Sequence, residues 1–482
     1  MESNLRAWFQ SSSDVEFKTM RLGSVLRQQS LLLVYCNGLV DERQINQALL
    51  PNLLAAFRDT PPQTPEELEV GKPLLMTKVP DPSAKDEVVR AVFEGNLLLV
   101  FQDLNALYTV NIAKLPSRKP DEPSTEISIR GARDGFVEEI NVNVGLIRKR
   151  LPTNTMFCES FTIGTRSKTK VALLFLEDVA NPTVVEQIRE KLKNLQIDAI
   201  QTSQQLEEYL AEGKRALFPL FTYTGRPDFA SMSIENGRVA LLVDGSPTAI
   251  IAPVSLFFLL QGSSDSTTMF QFVGFQRFMR VVGLCISLLL PAFWVSLNGY
   301  HQDQLPYTLL ATIVVSRQGV PMPAPIEALL VILLFELFRE AGLRLPATVG
   351  QTLSVVGGLI IGQAAISAGL TSPSLLVIVA TSSVASFILG NQDLSGTIRL
   401  LNMAFVMMSS VFGMFGFFVS WFALLLYLVN LRSFGVPYLA PVSPVAFPDL
   451  RRMFWPAPFG TSKKRPQVLH TQNEKRLEEE PE

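Results

Sequence analysis

Within residues 335–346, FELFREAGLRLP, two acids and two bases stand three and four positions apart in a stretch that is otherwise largely apolar. On a helix Glu336 lies beside Arg339 and Glu340, and Glu340 beside Arg344, so the group can neutralise itself. Ionisable side chains at bilayer depth are costly unless they pair or meet water, which makes Glu336, Arg339 and Glu340 candidates for an ion path or its gate. The other reading is an interfacial helix whose charges reach lipid headgroups. Glu327 follows Pro321, Pro323 and Pro325 and has no basic residue three or four positions away. It is the freer charge and the preferred pore candidate, because a ring of acids draws cations into a pore.

Residues 350–369, GQTLSVVGGLIIGQAAISAG, are rich in small side chains, and Gly358 and Gly362 have the GxxxG spacing that lets helices approach closely in lipid. Gln351, Ser354 and Gln363 offer the alternative of a wet path along the same helix. Other chemistry has no support. There is no phosphate-binding loop, no strand-borne GxGxxG, no HExxH and no nucleophile elbow. The two histidines, His301 and His470, cannot supply a triad or a metal cage. Cys36, Cys158 and Cys285 lack metal-ligand spacing and read as small buried side chains. No enzyme, cofactor or metal is expected. A net charge of -2 without a basic, aromatic-laced stripe sets nucleic acid aside.

The elements that must position these residues fall into two environments. Charged residues are 18% of the chain, below the quarter usual for soluble domains, and they thin out sharply after about residue 280. The expected architecture is a soluble α/β amino-terminal half of two similar modules, then an all-α multi-span membrane domain. Module boundaries fall at 1–115 and 152–262, with a linker and an amphipathic helix, Asp134 to Leu151, between them. Residues 263–440 form the transmembrane domain, and 441–482 a cytoplasmic tail expected to be disordered. The basic run Arg148, Lys149 and Arg150 reads as a solvated helix cap, or as a contact with acidic lipid or a partner.

The duplication rests on paired strings. LLLVYCNGLVDERQINQALLPNLL and KVALLFLEDVANPTVVEQIREKLKNL share the order strand, turn, helix, and EGNLLLVFQDLNALYTVNI and ENGRVALLVDGSPTAIIAPV share strand, tight turn, strand. In the membrane half, candidate spans are 281–300, 326–338, 347–369, 373–390 and 401–431, with 307–316 too short to cross. Arginines and lysines flank the first and last spans, so both ends are expected on the cytoplasmic side, with an even number of crossings. The amino terminus carries no secretory signal.

Several strings resemble one family: RGARDGFVEEINVNVGLIRKRL, ENGRVALLVDGSP, FREAGLRLP with GQTLSVVGGLIIGQAA, and LRSFGVPYLAP. They resemble the GerA family of bacterial spore germination proteins, specifically the germinant receptor A subunit, over about Leu31 to Pro441. The first string is also similar to a sporulation stage V relative, protein AF. The resemblance implies a permease-like B subunit and a lipoprotein C subunit as partners, self-association, and a place in the spore inner membrane with the soluble half on the core side. It implies an oligomeric nutrient-gated ion channel; a non-conducting scaffold is the alternative. At FPLFTYTGRPDFAS the chain departs from the family pattern, with Gly225 in place of an acid.

Overall fold

The computed structural model describes the chain apart from residues 11, 25–26, 60–75, 80, 114–132, 212–215, 345–361, 456–463 and 477–482. Module 1 contains helix α1 (Glu2–Trp8), strands β1 (Val15–Ser24) and β2 (Arg27–Cys36), helix α2 (Leu50–Asp59), strand β3 (Met76–Lys78), helix α3 (Lys85–Phe93), and strands β4 (Asn96–Phe101) and β5 (Ala106–Asn111). The sheet is antiparallel, ordered β1-β2-β4-β5-β3. Side chains alternate across it. Leu31, Leu33 and Tyr35 pack with Leu53 and Phe57 on one face, while Leu32, Val34 and Cys36 meet Val88 and Val92 on the other. Burial on both faces explains why β2 and β4 read as continuous apolar runs.

Module 2 repeats this plan. Helix α4 (Ile140–Arg148) leads into β6 (Met156–Ile163), β7 (Thr169–Leu176), α5 (Pro182–Asn194), α6 (Ser203–Leu210), β8 (Thr222–Thr224), α7 (Pro227–Glu235), β9 (Val239–Val243) and β10 (Ala249–Ala252). The strand order, β6-β7-β9-β10-β8, is that of module 1 shifted by five, which confirms the duplication. Helix α5 starts on local sequence chemistry. Asn181 caps it by accepting from the Thr183 amide at 3.0 Å, and Pro182 supplies a preset φ at its first position. The edge strands β1 and β6 are absent from the sequence reading, because polar residues alternate through VEFKTMRLGS and MFCESFTI.

Two expectations about the region between the modules change. The amphipathic helix begins at Ile140, since Phe136 is tied as extended chain to the Gly225 carbonyl at 2.9 Å. It packs into module 2 with Met156, Leu174 and Leu242, so it belongs to that module and is no free linker. Arg148 is no solvated cap. It is fully buried, holds both oxygens of Asp14 at 2.9 and 3.1 Å, donates to Ser12 Oγ and the Thr153 carbonyl, and lies 4.0 Å over the Phe93 ring. Together with the Ser13 amide on the Cys158 carbonyl at 2.9 Å, this pins module 1 onto module 2. Cys36 and Cys158 are buried there and burial pushes both thiols up, whereas Cys285 is exposed, contrary to expectation.

The helical half consists of α8 (Phe270–Tyr300), α9 (Tyr307–Ser316), α10 (Ala324–Arg344), α11 (Pro373–Phe387) and α12 (Gln392–Asn430). Two of these, α8 and α12, are long and apolar enough to cross a membrane. Segment 401–431, expected as one crossing, is part of a hairpin. Gly413 adopts φ 62° and ψ -140°, and a Cβ on Gly416 would stand 2.3 Å from the Met408 carbonyl oxygen, eight residues earlier. A straight helix separates such atoms by about 12 Å. Thr397 on the first arm and Tyr427 on the second both bond the Leu217 backbone, at 3.0 and 2.9 Å, so the two arms share one end. The domain thus starts and ends against module 2, with which it shares one continuous apolar core.

The tail expected to be disordered is partly folded. Helix α13 (Phe447–Phe454) lies beside the start of α8, where Arg277 reaches the Met453 carbonyl at 3.4 Å. Residues 464–476 run along module 2: Gln472 bonds the Val179, Glu177 and Ala180 backbone, and Arg465 bonds the Glu235 carbonyl at 2.9 Å. Polar side chains that look like solvated tail in the sequence are spent on backbone groups of the second module.

Candidate functional site

The ionisable residues singled out in the sequence separate into two clusters at opposite ends of the helical domain. Helix α10 carries both. Glu336 lies nine positions after Glu327, about 14 Å along the axis.

At the end facing away from module 2, Glu327 is 1% exposed. Its Oε1 accepts from the Ser372 amide at 2.6 Å, the Ser372 hydroxyl at 2.7 Å and the Thr371 hydroxyl at 3.1 Å, while Oε2 faces Arg317 at 3.6 Å. Ser372 precedes α11, so the carboxylate sits on the positive end of that helix and satisfies amide and hydroxyl donors there. Contrary to the expectation of an uncompensated charge, Glu327 is engaged from three sides. Its partners lie 10 positions before and 44–45 after it in sequence, beyond the reach of helical spacing rules.

At the module 2 end, Glu336 stands 3.8 Å from Arg339 and 3.6 Å from Arg399 of α12. Arg339 also donates to Ser386 of α11 at 3.4 Å and lies 4.9 Å over the Phe387 ring. The i,i+3 contact was legible in the sequence; Arg399 joins the cluster because the first arm of α12 runs past it. Glu340 pairs with Arg344 at 2.6 Å on an exposed face, as the spacing suggests. That face continues as Ile326, Leu333, Leu337, Glu340 and Arg344, a stripe at helical spacing that stays exposed among the described residues.

Gly358 lies outside the described residues. A Cβ on Gly362 would come 3.4 Å from Leu376 Cδ2, ordinary contact, so the small residue meets α11 within the same chain. Between the two charged clusters sits a polar node absent from the sequence reading. Asn402 Nδ2 donates to the Ser287 carbonyl and approaches Ser382 Oγ at 3.4 Å, and Ser382 donates to the Ser287 carbonyl at 2.9 Å. This joins α8, α11 and α12 where little else is polar. A lone asparagine within RLLNMAFVMM was the available signal.

The chain matches the model of the GerA family, Bacillus/Clostridium GerA spore germination protein, over residues 3–468. It belongs to the GerA family of spore germination proteins. Spore germination protein XA of Bacillus anthracis is 46% identical over 98% of this chain and 96% of its own length. An uncharacterized membrane protein, YfkQ, of Bacillus subtilis is 34% identical over 96% of this chain and 89% of its own. The crystal structure of the N-terminal domain of the A subunit of the Bacillus megaterium germinant receptor GerK3 is 26% identical, covers 52% of this chain and 92% of that domain, and superposes with a TM-score of 0.38. For this GerA family member, the charged clusters, the outward stripe of α10 and the Asn402 node are the features of the helical half to which a function can be attached.

Proposed function

We propose that this GerA family member is the A subunit of a germinant receptor, seated in the spore inner membrane with permease-like and lipoprotein partners. Several copies turn their α10 stripes toward a shared ion path. The modules and the tail lie on the core side, where they receive the nutrient signal from the partner subunits.

The observation that carries this reading is the outward stripe of α10. Glu340 and Arg344 lie exposed beside Leu333 and Leu337, on a helix whose apolar neighbours belong in lipid. Charges on the outside of such a domain are stable only against water or a partner, and a ring of copies supplies both. Glu336 flanks the stripe and is partly screened by Arg339 and Arg399, which makes it the inner member of the acidic pair. Glu327 serves the contact between α10 and α11 and not the path. The experiment is a cross-link between copies: Leu337→Cys in a Cys285→Ser background, oxidised in membranes. A disulfide-linked dimer at position 337, absent for Cys at outward position 415 on α12, supports the ring. No dimer at 337 removes it and leaves the scaffold.

A further inference from the structure

A cavity of about 190 Å³ lies between module 2, the start of α8 and the carboxy-terminal segment, walled by Val254, Phe258, Met453 and Leu469. Two charged side chains face it without completing their bonds. Arg238 is 8% exposed; its Nε donates to the Pro253 carbonyl at 3.1 Å and its guanidinium stacks 3.6 Å from the Phe258 ring centre. Among the described residues its terminal nitrogens have no protein acceptor and no carboxylate lies within ion-pairing distance. Burial alone pulls it down from the usual arginine range. Asp449 is also 8% exposed; its Oδ2 accepts from the Val468 amide at 3.1 Å, and its buried Oδ1 has no donor. The other cations at this corner are spoken for: Arg277 is held by Asp265 at 2.9 Å, and Arg452 donates to the Lys464 carbonyl at 3.0 Å.

Buried charges normally pair, and here two opposite charges line one cavity without pairing with each other. An anion would satisfy Arg238 and leave Asp449 without a donor, and a cation would do the reverse. A molecule bearing both a carboxylate and an ammonium group completes both, the carboxylate taking the two terminal nitrogens of Arg238 in the forked geometry that guanidinium favours. A cavity of about 150 Å³ takes one benzene, so this one takes a molecule of about six to eight non-hydrogen atoms.

We infer that this cavity is a binding site for a small zwitterion, with its carboxylate on Arg238 and its ammonium on Asp449. Because Asp449 belongs to α13 and Arg238 to module 2, the ligand ties the carboxy-terminal segment to the second module. The site stands apart from the α10 stripe and does not depend on conduction.

The test is calorimetric titration of the full chain in lipid nanodiscs with 4-aminobutyrate, which has the right size and both charges. The expected result is saturable binding, lost in Arg238→Gln, at least tenfold weaker in Asp449→Asn, and partly restored in Arg238→Lys. Butyrate and butylamine, each lacking one charge, bind at least tenfold more weakly than 4-aminobutyrate. Unaltered elution and melting of the variants show that the fold is kept, and Asp449→Asn carries the test if Arg238→Gln does not fold. Absence of saturable binding, or equal binding by Asp449→Asn, overturns the assignment. So does equal binding of inorganic phosphate, or a titration abolished only by anionic lipid in the nanodisc, since either shows a site that reads negative charge alone.

Discussion

Replacing Arg148 by Met should loosen module 1 from module 2 without unfolding either. Arg148 is fully buried and Asp14 is 8% exposed, so the substitution strands a carboxylate in the junction, along with the Ser12 hydroxyl and Thr153 carbonyl that the guanidinium served. Removing one partner of a buried pair costs about 3–5 kcal/mol. At 1.4 kcal/mol per tenfold, the open population of the junction rises by about two to three and a half orders of magnitude. Hydrogen exchange reads this directly: amides of β1 and the Ser12–Asp14 segment should exchange faster by that factor, while the central strands β7 and β9 keep their protection. Substituting both partners, Arg148→Met with Asp14→Leu, should recover much of the loss, because no charge is then stranded. Exchange within threefold of the parent in Arg148→Met would show that the pair is not what holds the junction.

Three further outcomes follow from the same geometry. Glu327→Ala removes the acceptor of three hydrogen bonds at the start of α11 and should destabilise the helical half by about 3 kcal/mol, whereas Glu327→Gln keeps that oxygen and should leave melting nearly unchanged and ion release unaltered; slowed release in Glu327→Gln would return this residue to the pore. Gly413→Ala places a Cβ 2.9 Å from Tyr300 Cγ in a backbone conformation that side chains avoid, and should lower membrane accumulation of the protein through strain of about 1–3 kcal/mol. Burial, then the charges of Asp393 and Glu208, push Glu207 up to about 8. The folded chain therefore keeps a proton that the unfolded chain releases near 4.5, and stability from this group falls as pH rises across that window. The drop in melting temperature between pH 5 and pH 8.5 should be smaller in Glu207→Gln than in the parent.

The duplication and the central strands were legible because each rests on short-range signals: apolar runs and the tight polar turns between them. Edge strands were missed because their polar alternation resembles loop. The two misjudged charges, Arg148 and Glu327, share one cause. Their partners, Asp14 at 134 positions and Ser372 at 45, are set by tertiary packing, and helical spacing says nothing about them. The pairing of Glu340 with Arg344 was read correctly because it lies within one turn. Gly413 was missed as a reversal because a glycine inside an apolar run reads first as a packing residue, and only its backbone angles show the hairpin.

The central claim is tested most directly by cation efflux from liposomes holding the complete receptor, with and without nutrient, comparing the parent with the double variant Glu336→Gln, Glu340→Gln at equal incorporation. Removing both acids from every copy should cut nutrient-triggered efflux at least tenfold while the disulfide-linked dimer at position 337 persists. Efflux equal to the parent would show that α10 does not line the path, and no efflux from the parent complex would leave the helical half a scaffold.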